Sequence, residues 1–355
     1  MKEQVLIAMS GGVDSSVAAY LMKEQGFDCI GATMLLHQNA PAADGADADR
    51  ALPSDAEDAR AVAERLSMPF YCFDLSEEFR REVIDRFIRT YEQGGTPNPC
   101  VICNRYLKFG ALLREAERLS CGAIATGHYA RIVPENGRWL LKKALNPAKD
   151  QSYVLYSLTQ RQLAHTRLPL GELTKERVRE IALAQGFLNA RKQDSQDICF
   201  VPDGDYAAVI RRFSGKDYPS GDFVDAEGRV LGRHKGIIHY TVGQRKGLGL
   251  ALSEPHYVCR KDAAENRVVL GRNADLFSRV LDAEDVNWIV WDTPPARFRA
   301  KARIRYQQTE QWATVFPDGN DRFRLEFDEP QRAIAAGQSV VLYDGDTVVG
   351  GGIIG

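Results

Sequence analysis

No apolar run in this 355-residue chain approaches the ~20 residues that a membrane-spanning helix needs, so no membrane partner is expected. No leader is expected either. The opening stretch meets an acid at Glu3 and passes straight into the short apolar run Val5–Met9, unlike a secretory signal or transit peptide, which makes the cytoplasm the expected location. Cysteine is sparse and odd in number. The seven, at 29, 72, 100, 103, 121, 199 and 259, are irregularly spaced and do not form the framework of a secreted disulfide scaffold. Neither sign of charge dominates, with a formal net charge of −2, so any contact with nucleic acid must come from a local patch. Internal repeats are absent, and low complexity is confined to one short Ala/Asp-rich stretch. What remains is an ordinary globular composition, 44% hydrophobic and 26% charged, in a chain long enough for two or three domains.

The first two hundred residues alternate short apolar runs with helical periodicity. Val5–Met9, Ile30–Leu36, Phe70–Leu75 and Gly122–Thr126 read as strands. Helices are expected after the first strand, with Val17, Ala18, Leu21 and Met22 facing inward, and over Asp55–Leu66 and Ala111–Leu119. Strands separated by helices predict a parallel sheet with helices on both faces. His37–Pro53, rich in Ala, Asp and Pro, is expected to be a mobile loop. Beyond about residue 205 the helical faces give way to Gly-punctuated, β-branched segments. Gly221–Tyr257 reads as several short strands, and Arg297–Tyr306, Trp312–Phe316, Phe323–Phe327 and Ser339–Asp344 as strands of a small barrel or sandwich. The expected division is an α/β domain over 1–204, a central Gly-rich β domain over 205–282 and a C-terminal β-barrel over 283–355.

Between the first strand and its helix lies Ser10-Gly11-Gly12-Val13-Asp14-Ser15-Ser16. Glycines let the backbone come close to an anion, and the N–H groups opening a helix point at it. A lone Ser-Gly-Gly is more often an ordinary helix start, but the full run in a strand–loop–helix setting is far more specific. It is not a Walker A loop, lacking Gly-Lys-Ser/Thr, and it lacks the three-glycine dinucleotide spacing.

This loop resembles the pyrophosphate-binding PP-loop of the ATP-pyrophosphatases, enzymes that adenylate an oxygen and release pyrophosphate. Four more segments narrow the resemblance: residues 95–104 (GTPNPCVICN), 125–130 (ATGHYA), 194–200 (DSQDICF) and 240–247 (YTVGQRKG). Together, in order along nearly the whole chain, they resemble the tRNA-specific 2-thiouridylases of the MnmA type. The resemblance implies an adenine-nucleotide α-hydrolase-like fold. It further implies ATP, with Mg²⁺ accompanying it, held by Ala8, Met9, Ser10, Gly11, Gly12, Val13, Asp14, Ser15, Met34 and Gly127. Asn98, Pro99 and Cys100 would meet the target base. His128, Lys149, Asp150, Gln151, Arg305, Tyr306 and Gln338 would contact tRNA. The implied partners are tRNAs for Lys, Glu and Gln and a protein sulfur donor, either a cysteine desulfurase or a relay protein.

Cys100 and Cys103 form a C-x-x-C in a Pro-rich turn. A zinc site would want a second close pair, a thioredoxin-like pair would not follow Thr-Pro-Asn-Pro, and an isolated cysteine is usually a buried structural thiol, the reading given to Cys29, Cys72 and Cys121. Thiolation of a carbonyl needs the oxygen converted to a leaving group and a transferable sulfur, such as a persulfide, to attack the carbon. The resemblance places the nucleophile at Cys103 and the persulfide carrier at Cys199, with a disulfide formed as the sulfur is released. Some members carry Asp where this chain has Cys100, which leaves the role of that thiol open. An iron–sulfur cluster on Cys100, Cys103 and Cys199 is a less favoured rival, and no other metal site is expected.

Arg297, Arg299, Lys301, Arg303 and Arg305 alternate with apolar residues. On a strand, period two would align all five cations along roughly 26 Å at ~3.3 Å per residue, against which several RNA phosphates could lie; the plain alternative is a solvated barrel face. Arg245 and Lys246 are weaker candidates for backbone contacts. The function so expected is ATP-dependent 2-thiolation of a wobble uridine. The rivals are a PP-loop amidotransferase or synthetase, which needs neither Cys103 nor Cys199, and a non-catalytic tRNA-binding protein.

Overall fold

The computed structural model describes residues 2–36, 53–192, 198–201 and 203–355. The expected loop at His37–Pro53 lies almost wholly outside the described residues, as does 194–197 of the segment 194–200. Two compact units divide the chain: Met1–Glu82 with Val101–Ser195 and Asp346–Val348, and Val83–Cys100 with Gln196–Gly345 and Val349–Gly355.

In the first unit, β1 (Gln4–Ala8), α1 (Val13–Glu24), β2 (Asp28–Leu35), α2 (Ser54–Arg65), β3 (Phe70–Asp74) and β4 (Ala123–Ala125) follow in the expected order. The sheet runs β3-β2-β1-β4-β7, where β7 is the two-residue strand Thr166–Arg167, and every pairing is parallel. Both faces are covered, so β1 reads as a continuous apolar run and Val5, Leu6 and Ile7 are fully buried. Val17, Ala18 and Met22 of α1 and Ala59, Val62 and Ala63 of α2 pack into the same core, as their spacing predicts. A hairpin, β5 (Ala130–Glu135) and β6 (Arg138–Lys143), was not expected from the alternation of strands and helices. Its signal was present: Asn136 and Gly137, both at positive φ, form the two-residue Asn-Gly turn that suits the twist of paired strands.

The second unit contains β8 (Gly221–Val224), β9 (Val230–His234), β10 (Tyr257–Asp262) and β11 (Arg267–Gly271), in the order β10-β11-β8-β9. It also contains β12 (Phe277–Trp288), β13 (Phe298–Arg303), β14 (Gln311–Asp318), β15 (Arg322–Arg332), β16 (Ser339–Asp344) and β17 (Thr347–Ile354). These six run β12-β15-β14-β13-β16-β17, and β12 pairs again with β17, closing an antiparallel barrel. Alternate residues fill it: Ala300, Ala302, Phe323, Leu325, Phe327, Val340 and Leu342 are buried. The expected fold classes, a parallel α/β sheet followed by a small β sheet and a C-terminal barrel, are all present. The strand expected to reach Tyr306 stops at Arg303, where the Gln308 side chain takes the N–H of Ile304 (2.9 Å) in place of a neighbouring strand.

Candidate nucleotide and sulfur-transfer site

β1 ends at Ala8 and α1 begins at Val13, so the phosphate loop occupies the carboxyl edge of the parallel sheet, where such folds bind ligands. Gly12 precedes α1 in extended conformation with no side chain capping the helix, which leaves the first-turn N–H groups for an anion. The serines shape the loop. Ser15 and Ser16 both donate to the Gly12 carbonyl at 3.0 Å, and Ser15 Oγ accepts the Ser10 N–H at 3.2 Å. Gly11, at φ +70°, lies so close to the Asp55 carbonyl that a Cβ would collide with it. Behind the loop, Asn189 donates to the Gly11 carbonyl and to Ser16 Oγ, both at 2.9 Å, and Lys192 bridges Asp55 and Asp58 at 2.7 Å. Ala8 and Met34 are part-buried at the ends of β1 and β2, while Met9 and Val13 are buried.

Asp14, in the first turn of α1, accepts two bonds on Oδ1: from the Lys175 ammonium and from the Tyr129 hydroxyl, each at 2.7 Å. Lys175 opens the helix Lys175–Ala184 and its side chain is 8% exposed against 31% for Asp14. No sequence reading singled out either partner, since a lysine at a helix start looks like a solvated residue until packing buries it. Gly127 is required by space: a Cβ would come within 2.7 Å of the Asp14 carbonyl carbon and 2.8 Å of the Ser15 nitrogen. Gly127→Ala is expected to cost about 1–3 kcal/mol through overpacking and to weaken nucleotide binding. Thermal unfolding and nucleotide titration check this, and a variant unchanged in both would show that the loop has room.

Cys100 is exposed and Cys103 half-buried on the short helix Pro99–Cys103, which starts at a buried proline well suited to a first helical position. Cys199 is exposed; the next residues, Phe200 and Val201, are buried, and Phe200 meets the Phe87 ring edge-on at 5.1 Å. The neighbouring residues thus anchor the segment while its thiol faces out. By contrast, burial pushes the Cys29 and Cys121 thiols up to about 11 and raises Cys72 and Cys259, which makes them poor thiolates at neutral pH. Among the described residues no group of three His, Cys, Asp or Glu side chains is placed to hold a metal ion.

Three family models cover the chain: a tRNA methyl transferase HUP domain at residues 3–203, a tRNA methyl transferase PRC-barrel domain at 208–272 and an aminomethyltransferase beta-barrel domain at 278–354. Curated relatives match over full length. A tRNA-specific 2-thiouridylase MnmA from Clostridioides difficile is 50% identical over 100% of this chain and 98% of its own. Namesakes from Clostridium acetobutylicum and Moorella thermoacetica are 48% and 51% identical, over 100% and 98% of this chain and 100% and 98% of theirs. The chain belongs to the MnmA family. A solved NMN synthetase from Francisella tularensis, 16% identical, covers 61% of this chain and 78% of its own at TM-score 0.33, which adds nothing to that assignment.

Several residues that the MnmA resemblance assigns to tRNA are committed within the protein. His128 is buried, with Nδ1 2.7 Å from Thr126 Oγ1; burial, and then the charge of Lys108, holds it well below its ordinary pKa, so it is neutral. Asp150 is buried too, accepting from the Ala144 and Ser152 N–H groups and the Ser152 hydroxyl. Gln151 accepts the Tyr129 N–H at 2.9 Å, so this MnmA segment braces the tyrosine that holds Asp14. Lys149 is part-buried and Tyr306 exposed. Arg305 donates to the carbonyls of Arg332 and Ala333. The row of cations on β13 is also partly neutralised: Arg299 forms a bidentate pair with Asp328 at 2.6 Å and Arg303 pairs with Glu310 at 2.9 Å. Asp328 comes from β15, 29 positions along the chain, and Glu310 from the loop just before β14, and alternation within one strand reports neither. Lys301 and Arg299 instead flank the half-exposed Trp312 ring at 5.4 and 5.5 Å.

Proposed function

We propose that this protein is a cytoplasmic tRNA-uridine 2-sulfurtransferase, organised as a catalytic domain over 1–204, a central domain over 205–282 and a tRNA-contacting barrel over 283–355. The carrying observation is an uncapped, serine-braced PP-loop in a chain that aligns end to end with curated 2-thiouridylases. ATP lies on the loop with Ala8, Met9, Met34 and Gly127 around it. Asp14 fits a role beside Mg²⁺, because its Oδ1 takes both protein donors and Oδ2 accepts none among the described residues. The metal would supply charge neutralisation on the phosphates. Lys175 adds a buried cation where pyrophosphate charge develops.

The reaction balances as follows. The O2 of a wobble uridine attacks the α-phosphorus and pyrophosphate leaves. The terminal sulfur of a Cys199 persulfide adds to C2. Cys103 thiolate then attacks Cys199 Sγ, the sulfur left on C2 becomes the thiocarbonyl, and AMP departs. The resulting disulfide is returned to thiols by a reductant or by the donor cycle. An unstacked anticodon base reaches such a site at small cost. The substrates proposed are tRNAs for Lys, Glu and Gln, with sulfur from a desulfurase or relay protein.

The family descriptions that mention methyl transfer support a second reading, but a methyl donor has no need of a pyrophosphate-cradling loop. Incubation with tRNA, ATP, Mg²⁺, cysteine and a cysteine desulfurase, followed by nucleoside mass spectrometry, separates the two. The expected result is 2-thiouridine, with one AMP and one pyrophosphate per thiolation. A methylated uridine, or sulfur incorporation without AMP, would defeat the proposal.

A further inference from the structure

The turn that leads into Asn98, Pro99 and Cys100 is tied down more firmly than chain reversal requires. It follows the helix Asp85–Glu92, and the N–H groups of Gly94 and Gly95 close that helix on the carbonyls of Tyr91 and Thr90 at 3.1 and 2.8 Å. Each remaining bond reaches a residue distant in sequence. The Lys261 ammonium of β10 donates to the Gly95 carbonyl at 3.0 Å. The Thr96 N–H donates to the Ala336 carbonyl at 2.7 Å, and the Gln338 amide donates to the carbonyls of Thr96 at 3.0 Å and Pro97 at 3.4 Å. Gly337, at φ +82°, fits only without a side chain, since a Cβ would stand 2.5 Å from Thr90 Cγ2.

Lys261 is an unusual choice for a structural tie. It is 8% exposed, lies 5.2 Å from the centre of the Tyr91 ring, and has no carboxylate partner among the described residues. Burial alone draws it down to about 8. A buried ammonium held by one carbonyl and one ring face is costly, and an apolar residue of similar length would pack there more cheaply. Gln338, for its part, spends its amide donor inside the protein, although the family resemblance assigns it to RNA.

We propose that Lys261 and Gln338 are positioning residues that clamp the Gly94–Pro97 turn, so that the small β domain and the C-terminal barrel set where Asn98 to Cys100 present themselves to the target base. This rests on the thiolase reading for its substrate. The clamp itself does not.

Two variants of the full chain test it, Lys261→Met and Gln338→Ala, each with two readouts. Hydrogen exchange needs no activity: amides of the 94–97 turn should exchange at least about tenfold faster than in the parent, as expected on losing buried ties, with the core of β1 and β2 unchanged. In thiolation assays, kcat should fall about tenfold from misplacement of a reacting segment, while the tRNA dissociation constant moves by less than about twofold. Exchange in the turn at parental rates would overturn the clamp. Loosened exchange with parental kcat would overturn its role in presenting the base. A loss confined to tRNA affinity in Gln338→Ala would return that residue to RNA contact. If the parent forms no 2-thiouridine, the thiolase reading fails while the exchange result still decides the clamp.

Discussion

Cys199→Ser is expected to abolish 2-thiouridine formation, to below about one part in a thousand of the parent, while ATP and tRNA dissociation constants stay within about twofold. Removing a nucleophile that acts as one member of a unit typically costs at least that much. The structure explains why binding should survive. Cys199 is exposed, and its neighbours Phe200 and Val201 are buried, so exchanging sulfur for oxygen leaves the anchoring of the segment in place. Hydroxyl oxygen cannot carry a persulfide, and alkoxides are scarce at neutral pH, so no partial rescue is expected. Pyrophosphate release dependent on tRNA should persist in this variant, because adenylation precedes sulfur attack. Sustained thiolation would remove Cys199 from the carrier role. Iron and labile-sulfide analysis of anaerobically purified protein addresses the cluster alternative, and an iron-free preparation active with a persulfide donor would end it.

The second large effect is expected at Lys175, which reads like any surface lysine in the sequence. Lys175→Met should lower tRNA-dependent pyrophosphate release by about 10²- to 10³-fold, the range seen when one preorganised charge is removed from a developing anion. The ion pair with Asp14 is largely sheltered, and removing one partner leaves, among the described residues, a partly buried carboxylate held by Tyr129. A loss of stability is therefore expected too, and the two consequences must be separated. Tyr129→Phe removes the other donor to the Asp14 carboxylate while keeping both that carboxylate and the cation. If Lys175 acts on the phosphates, Tyr129→Phe should keep more activity than Lys175→Met. Equal losses in both variants, tracking their melting temperatures, would reduce Lys175 to a structural strut.

Local rules made most of the fold legible. Period-two and helical spacing located β1, β2, β3, β4 and the helices between them, and the alternation at 298–304 placed Ala300, Ala302 and Ile304 inside the barrel. The phosphate loop was legible because glycine and hydroxyl residues at a strand–helix junction serve few other ends. What stayed hidden depends on residues far apart in sequence. Asp14 and Lys175 are 161 positions apart, Arg299 and Asp328 are 29 apart, and Gln338 and Thr96 are 242 apart. No pattern within a window of the chain reports such pairs. The polar residues at 128, 150 and 338 show the reverse problem. Their identities suit RNA as well as they suit internal hydrogen bonding, and only burial and partners distinguish the two.

The parallel sheet and the barrel also differ in their hazard of self-association. A barrel whose first strand pairs with its last presents no open row of backbone donors and acceptors. Among the described residues the parallel sheet is open at both margins. β7 contributes only two residues to one of them, too short a template for another chain. β3 is the other margin, five residues reading Phe-Tyr-Cys-Phe-Asp with Tyr71 exposed, and it combines high strand preference with a single charge at its end. Strand addition at β3 is therefore an expected route of aggregation on heating. A lysine at Tyr71 would serve as a gatekeeper there, raising the temperature at which turbidity appears while leaving the barrel untouched.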